Sequence, residues 1–472
     1  MFLRIVAAGI LGLLLRQVVN LQPSAWLAWL VPALMLLAVL RADGRGWRAY
    51  AFAACAVGYH ANSTYYFTVM PVAAGIAIIL AQSLLFLFIL SETQRVIRST
   101  RAVWTIAAYP VFWVALDTLM AAFLPDGNWA SLAYTQSDFL PLMQSASLLG
   151  VPGVLFLLCL GSSAIALGLT SAWRSKAHLL TLGAVVAVES AAILFGVLRL
   201  REVQPAPTIP IAIAAVDDAI GLQATPVYIK SIQEAYEIHI AAASAKGARL
   251  VLLPEKIAVA SESAAELWNA HFAASAQRHH VWLLAGLAVQ TPQGISNQAW
   301  LYNPQGHRDV VYRKHFLAPP ERAGYISGDS YSLHQIDGIP FGIAICKDMH
   351  FSTLGRQYGK RDAAVMLVPA WDFSLDAWMG ARITAARAIE NGYTILRSSR
   401  QGLLSATDPY GRIISETESG PLPGRLLTAS IPARTRIPTL YTSTGDAFGW
   451  LCVALAGLLM WRSRSTRYTQ EL

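Results

Sequence analysis

Three residues that can do chemistry stand where hydrophobic runs end. Glu255 closes "LVLLPE", Lys314 follows "DVVYR", and Cys346 follows "FGIAI". In folds that mix strands and helices, reactive groups gather beyond the carboxyl ends of strands, where loops converge over a rigid sheet. The three residue types also belong together. A carboxylate takes the proton of a thiol, and the thiolate is the nucleophile. A lysine ammonium stabilises the oxyanion of a tetrahedral intermediate, together with the backbone N–H groups just after the cysteine. That ammonium is expected to lower the thiol pKa, and burial to raise that of the glutamate towards a useful base. Each residue alone says little, since an isolated Glu or Lys is most often a solvated charge. All three at strand ends are far more specific.

The elements that must position them alternate between strand and helix. After the linker "REVQPAPT", "IPIAIAAV" reads as a buried strand and Val227 to Lys246 as a helix ended by Gly247. "ARLVLLPEK" is a strand ending at Pro254–Glu255, and a helix over about 263–279 follows. "VWLLAGLAV", "NQAWLYN", "DVVYRKHF" and "IPFGIAICKD" read as strands, the last ending at the cysteine. A short helix containing Leu354, the strand "AAVMLVPA", a helix over 374–391 closed by Gly392 and the strand "YTILRSS" complete the region. The pattern predicts an α/β domain with mixed sheets, in two layers of sheet and two of helix.

The rest of the chain has a different character. Of 472 residues, 55% are hydrophobic and only 14% charged, against about a quarter charged in an ordinary soluble domain. Apolar segments lie at about 2–20, 24–40, 49–66, 69–91, 103–123, 146–171, 178–198 and 447–461, which predicts a bundle of about eight transmembrane helices. The first, bracketed by Arg4 and Arg16, also fits the core of a signal peptide; without a small-residue cleavage site it reads as an uncleaved span. Basic residues crowd alternate loops: Arg41, Arg45 and Arg48; Arg95, Arg98 and Arg101; Arg174 and Lys176; and the tail "WRSRSTR". The intervening loops "HANSTYYFT" and "LPDGNWASLAYTQSDFLPLMQ" have neither Lys nor Arg, and Arg199 and Arg201 are a mild exception. Basic loops mark the cytoplasmic side, so the α/β domain is expected outside. The predicted domains are a helical membrane domain over 1–204, a catalytic domain over 205–440, and a final span with a cytoplasmic tail over 441–472. The net charge of +8 is then a topology signal, and no basic patch with interleaved aromatics suggests nucleic acid.

Cys55, Cys159 and Cys452 fall inside apolar segments, which leaves Cys346 as the only thiol of the α/β region. That region therefore forms no internal disulfide, and an unpaired thiol outside the cell is a liability unless it is buried or used. His350 is close enough in sequence to suggest a Cys–His pair, but a histidine so near is usually fixed by packing on the next turn. His279 and His280 fit a helix end better than a metal site. No metal-ligand spacing and no dinucleotide or Walker glycine pattern occurs, so neither metal nor cofactor is expected. Trp371 and Trp378 read as core or rim aromatics. Asp117 and Glu189 lie within spans, Asp117 near an outer end and Glu189 deep enough to need an interior partner.

"LLPEK", "YRKHFLAPPE" and "GIAICKD" resemble the Glu–Lys–Cys signature of the nitrilase superfamily of carbon–nitrogen hydrolases. "LVPAWDFSLDAW", "ARAIENGYTILRSSRQGLLSATDPYGR" and "TLYTSTGD" extend the likeness. "DGNWASLAYTQSDFLPLMQSASLLGVPGVLFL" is similar to a stretch of the membrane-embedded branch, the apolipoprotein N-acyltransferase family. The resemblance implies an αββα sandwich and a ping-pong reaction in the inner membrane of a diderm bacterium, with the catalytic domain periplasmic. Cys346 would take an acyl chain from a phospholipid as a thioester, and the N-terminal amine of a diacylglyceryl-modified lipoprotein cysteine would accept it. Glu255 would be base and acid, Lys314 the oxyanion partner, and Glu321 the second glutamate that orients the triad.

Departures from the family pattern accompany the likeness. Lys347 and Asp348 stand where the family has Tyr-Glu, and "APPE" stands for Pro-Phe-Gly-Glu. "VDDAIGLQATPVYIKS" lacks the usual Gln and Trp. Lys347 beside the nucleophile is expected to stabilise a thiolate or meet a lipid phosphate, and Asp348 to temper it through a salt bridge. A monomer is expected. Two other functions fit the same residues: a membrane-tethered amidase or nitrilase with water as acceptor, and a non-catalytic lipid- or lipoprotein-binding protein.

Overall fold

The computed structural model describes residues 2–42, 44, 46–100, 102–127, 129–202 and 206–468. Arg45 and Arg101 of the basic loops, positions 203–205 of the linker and the last four residues of the tail lie outside the described residues. The chain forms two compact units. One contains the chain up to Glu202 and the segment from Thr444 onward, and the other is Val203–Ser443.

In the first unit a helix falls on every expected apolar segment: Phe2–Val19, Leu27–Leu40, Trp47–Tyr59, Val72–Ser99, Ala108–Phe123, Ala146–Gly168, Lys176–Arg201 and Ala447–Tyr468. Five are long and apolar enough to cross a membrane: Phe2–Val19, Val72–Ser99, Val103–Phe123 (counting the turn before Ala108), Ala146–Gly168 and Lys176–Arg201. Leu27–Leu40 and Trp47–Tyr59 have 14 and 13 residues, short of the ~20 a span needs. Arg462 and Arg464 fall inside Ala447–Tyr468. Between apolar helices, close packing and polar contacts replace the hydrophobic drive. A Cβ on Gly58 would lie 2.5 Å from Leu15 Cδ2, so only glycine lets Phe2–Val19 and Trp47–Tyr59 approach this closely. Ser162 donates to the Trp29 carbonyl at 3.0 Å. Asp117 is buried. Glu189 lacks the expected interior partner: among the described residues neither of its carboxylate oxygens has a hydrogen bond.

The second unit stacks two sheets between two helical layers. The first sheet runs in the order Arg425–Pro432, Thr208–Ala215, Leu250–Leu252, Trp282–Thr291, Gly294–Tyr302, Arg308–Arg313. The second runs Ile413–Glu418, Leu403–Thr407, Thr394–Arg400, Val365–Trp371, Ile339–Ile343, Ser332–Ile336. At the centre of each sheet three strands are parallel, and both their faces are covered, which is why they read as unbroken apolar runs. Ile211, Leu252 and Leu284 from one sheet meet Phe341, Ile343 and Leu367 from the other in a fully buried core. Helices Pro226–Ala245 and Glu262–His279 cover the first sheet through Tyr236, Ile240 and Phe272. Ser352–Lys360 and Ala377–Asn391 cover the second through Leu354, Tyr358 and Ala388. Gly392, at φ 73°, closes the last of these helices, as its sequence predicts.

Several strands that the apolar pattern does not mark have mixed burial. Ser332–Ile336 alternates between half-buried and exposed up to the buried Ile336, and Arg425–Pro432 and Ile413–Glu418 carry several exposed side chains; Leu403–Thr407, also unmarked, is largely buried. Both sheets direct the carboxyl ends of their parallel strands to one region, where Glu255, Cys346 and Trp371 follow or end three of them.

Candidate active site

Glu255 lies three residues beyond Leu250–Leu252, in a chain that turns against the neighbouring strand at Gly286. A Cβ there would fall 2.4 Å from the Pro254 carbonyl oxygen and 2.7 Å from the Glu255 Cα, so glycine is required for the approach. The Gly286 N–H donates to the Pro254 carbonyl at 3.1 Å, and the Glu255 N–H to the Ala370 carbonyl of the second sheet at 3.3 Å. The carboxylate is 1% exposed. Its Oε1 accepts from Lys314 Nζ at 2.8 Å and from Asn297 Nδ2 at 2.6 Å. Its Oε2 is buried and has no hydrogen-bond partner among the described residues.

Lys314 follows Arg308–Arg313 and is held by its backbone N–H to the Asn297 carbonyl at 2.9 Å. Its ammonium also reaches Glu321 Oε2 at 2.9 Å. Two of its three N–H donors are thereby used and one remains. Burial works against this charge, but Glu255 and Glu321 outweigh it and hold the ammonium pKa well above the usual lysine range. Glu321, in the turn Pro319–Glu321, completes a second set of bonds: Oε1 accepts from Lys256 Nζ at 2.7 Å and Asn297 Nδ2 at 2.8 Å, and Oε2 from the Ala318 N–H at 2.8 Å. Burial alone would raise its pKa; Lys314 and Lys256 reverse this and hold it well below the carboxylate range. Four buried charges thus alternate in sign: Glu255, Lys314, Glu321, Lys256.

Cys346 begins the tight turn Cys346–His350. Its φ of 47° is left-handed, a costly conformation for a residue with a Cβ and one that tends to mark functional positions. Asp348 holds that conformation. Its Oδ2 accepts from the Ile345 N–H at 2.9 Å and Tyr312 Oη at 2.8 Å, and its Oδ1 from the N–H groups of His315 and Phe316 at 3.1 and 2.8 Å. The carboxylate therefore ties the turn at Cys346 to the residues just after Lys314. Burial raises its pKa. The expected Lys347–Asp348 salt bridge is absent, because both oxygens are committed to these donors. Lys347 is buried, and its ammonium donates to the Leu317 carbonyl at 3.1 Å.

The thiol's environment also departs from expectation. Burial and Glu255 push its pKa well above an ordinary thiol's, and the opposing pull of Lys314 is the smaller effect. Asp372 and Arg397 are the next charges in strength, and Lys347 is not among those that bear most on the thiol. Cys346 is consequently a neutral thiol at rest. Its Sγ donates to the Trp371 carbonyl at 3.6 Å. Among the described residues His350 makes no hydrogen bond with the thiol, whose partner is the Trp371 carbonyl; burial, then Lys347 and Arg397, hold its imidazole well below its usual pKa.

Several residues at this site escape a reading of strand ends. Lys256 sits one position past Glu255 with φ 48°, and its ammonium lies 4.7 Å from the centroid of the Trp371 ring. Only its place in "LLPEK" could have signalled it. Asn297, on Gly294–Tyr302, has no motif at all, yet it bridges both glutamates. Trp371 is no simple core aromatic, since its carbonyl takes the thiol and its indole faces two cations. Asp372 and Arg397 form a bidentate buried pair at 2.6 and 2.9 Å.

Residues 213–436 match the family model for carbon–nitrogen hydrolases, which makes the second unit a domain of that class. Residues 8–164 match the model for the apolipoprotein N-acyltransferase N-terminal domain. The chain is 25% identical to an apolipoprotein N-acyltransferase of Geobacter metallireducens, over 97% of this chain and 94% of that one. It is 26% identical to one of Bradyrhizobium diazoefficiens, over 77% and 75%. A deaminated glutathione amidase of Synechocystis is 28% identical and matches 92% of its own length but only 46% of this chain. The chain belongs to the apolipoprotein N-acyltransferase family, a branch of the carbon–nitrogen hydrolase superfamily that carries an additional N-terminal domain.

The charges around the thiol make a prediction with opposite signs. At pH 8, Glu255→Gln removes an anion that raises the thiol pKa and should speed alkylation of Cys346 by a small uncharged haloacetamide. Lys314→Met removes a cation that lowers it and should slow the same reaction, each by roughly tenfold per pKa unit moved. Peptide mass mapping locates the label, and a Lys314→Met protein that labels faster than wild type contradicts this electrostatic account.

Proposed function

We propose that this protein transfers an acyl chain from a phospholipid to the N-terminal amine of a diacylglyceryl-modified lipoprotein cysteine, by way of a thioester on Cys346. The observation that carries the chemistry is the buried Glu255 Oε2, an acceptor with no hydrogen-bond partner among the described residues, on a carboxylate near enough to Cys346 to raise the thiol pKa. The relatives named apolipoprotein N-acyltransferase carry the choice of substrates.

Cys346 Sγ attacks the ester carbonyl while its proton passes to Glu255. The remaining N–H of Lys314 and the backbone N–H after the nucleophile receive the oxyanion, a contribution of about 3–4 kcal/mol per donor in comparable sites. Collapse breaks the ester C–O bond, and Glu255 returns the proton to the departing lysophospholipid. The acceptor amine then attacks the thioester and gives its proton to Glu255. The C–S bond breaks, the thiol is restored and an amide is formed. Glu321 and Asn297 position Glu255 and Lys314. Asp348 and Lys347 fix the loops on either side of the nucleophile. No added cofactor or metal takes part in these steps.

The same reading puts about eight spans in the inner membrane, a periplasmic catalytic unit and a monomer. The spans and their orientation rest on the basic loops and on helices at all eight apolar segments, five of them long and apolar enough to cross. Hydrolysis to a free acid uses the same first half-reaction. The amidase relative matches less than half of this chain, whereas the acyltransferase of Geobacter metallireducens matches nearly all of it.

Incubation of the purified protein with phospholipid should add one acyl mass to the Cys346 peptide, removable by hydroxylamine, and a lipopeptide amine should discharge it as an N-acyl product. Cys346→Ala should abolish both steps, and Cys346→Ser should do little better, since a carboxylate is a weak base for an alcohol. An adduct on another residue, or free fatty acid as the sole product, contradicts the proposal. Reporter fusions at Ala206 and after Arg462 should report opposite sides of the membrane; equal signals overturn the topology.

A further inference from the structure

Arg400 ends the strand Thr394–Arg400 and is only 4% exposed. The other arginines buried in this unit each face a carboxylate: Arg382 meets Glu416, Arg387 meets Glu390 and Arg397 meets Asp372. Arg400 differs. Its guanidinium makes no hydrogen bond or ion pair with any described residue, and its Nε is a buried donor without an acceptor. The group lies 3.8 Å from the centroid of the Trp371 ring, the residue whose carbonyl takes the Cys346 thiol.

The nearby acids do not neutralise it. Glu255 Oε1 is bound by Lys314 and Asn297, and Asp217 accepts the Gln401 N–H at 2.6 Å. Burial pulls the pKa of Arg400 down, and Tyr236, Glu255 and Asp217 compensate only in part. A guanidinium held out of water without a matching anion is unfavourable, and a bound anion would relieve it. Its planar fork of donors suits a carboxylate or phosphate. Lys256, the other cation at the Trp371 ring, is already matched by Glu321.

On the acyl-transfer reading above, we propose that Arg400 binds the phosphate of the acyl-donor lipid and makes the enzyme select phosphate-bearing glycerolipids over uncharged ones. The donor carries its phosphate on the same three-carbon glycerol as its ester groups, so an anion subsite against Trp371, whose carbonyl takes the Cys346 thiol, is where that phosphate falls when an ester reaches Cys346. The acceptor's diacylglyceryl cysteine has no phosphate, which confines the role of Arg400 to the first half-reaction.

The test is single-turnover thioester formation on full-length protein in detergent, with phosphatidylglycerol and diacylglycerol of identical acyl chains as donors. Wild type should favour the phospholipid. Arg400→Gln should narrow the phospholipid-to-diacylglycerol rate ratio by about 10–100-fold, the worth of one charge-assisted hydrogen-bonded contact, and Arg400→Lys should recover part of it. An equal loss with both donors means that Arg400 only supports Trp371, and overturns the proposal. So does a loss confined to discharge of a preformed thioester onto the lipopeptide amine. A wild-type protein that forms no thioester from either donor instead removes the acyl-transfer reading, and this inference with it.

Discussion

Four charges buried in alternation, Glu255, Lys314, Glu321 and Lys256, govern the construction of the site. None is more than 6% exposed, and an ion so far from water persists only when paired and hydrogen-bonded. The pairing is mutual: each lysine is anchored by Glu321, and Asn297 donates to both glutamates. Removing one member strands its neighbours, at about 3–5 kcal/mol in comparable buried pairs. The network also fixes which atoms remain available. Once Lys314 and Asn297 occupy Glu255 Oε1, the other oxygen has no donor among the described residues. Once two carboxylates occupy Lys314, one of its N–H groups remains.

The same arrangement explains why the thiol need not be a standing thiolate. A preformed anion would sit beside Glu255, in a site where burial already disfavours it. In the proposed mechanism, attack coupled to proton transfer avoids that state, since the proton moves to the carboxylate as negative charge moves to the substrate oxygen near Lys314. The left-handed turn at Cys346 is the other condition. Asp348 stabilises it by accepting bonds from both Ile345, just before Cys346, and the loop after Lys314, which makes this acid a brace between two parts of the site. Its lack of contact with Lys347 follows from that duty.

Much of this was legible in the sequence, for identifiable reasons. Parallel strands covered on both faces must be apolar throughout, so "IAIAAV", "LVLLP", "FGIAI" and "VMLVPA" announce the centre of each sheet and put Glu255 after the second and Cys346 after the third. Ser332–Ile336 and Ile413–Glu418 lie at the edges of the second sheet, where burial is incomplete and polar residues are tolerated, and their sequences carry no such run. Asn297 and Arg400 are hidden for another reason. Their importance is relational, since one lies between two acids distant in sequence and the other forms no ion pair with the acids near it, and no local spacing encodes either. Lys347 next to Cys346 is the opposite case: adjacency in sequence suggested contact with the thiol, but the tight turn directs its ammonium to Leu317.

The central claim is that one residue's free oxygen, Glu255 Oε2, exchanges the proton while Lys314 holds the developing oxyanion. A structure of the Cys346 acyl-thioester would test it most directly. The account predicts the thioester carbonyl oxygen about 3 Å from Lys314 Nζ, with Lys314 still bound to both glutamates and Glu255 Oε2 facing the thioester and free of other donors. A carbonyl oxygen turned away from Lys314, or a Glu255 Oε2 bonded to another side chain, would contradict it.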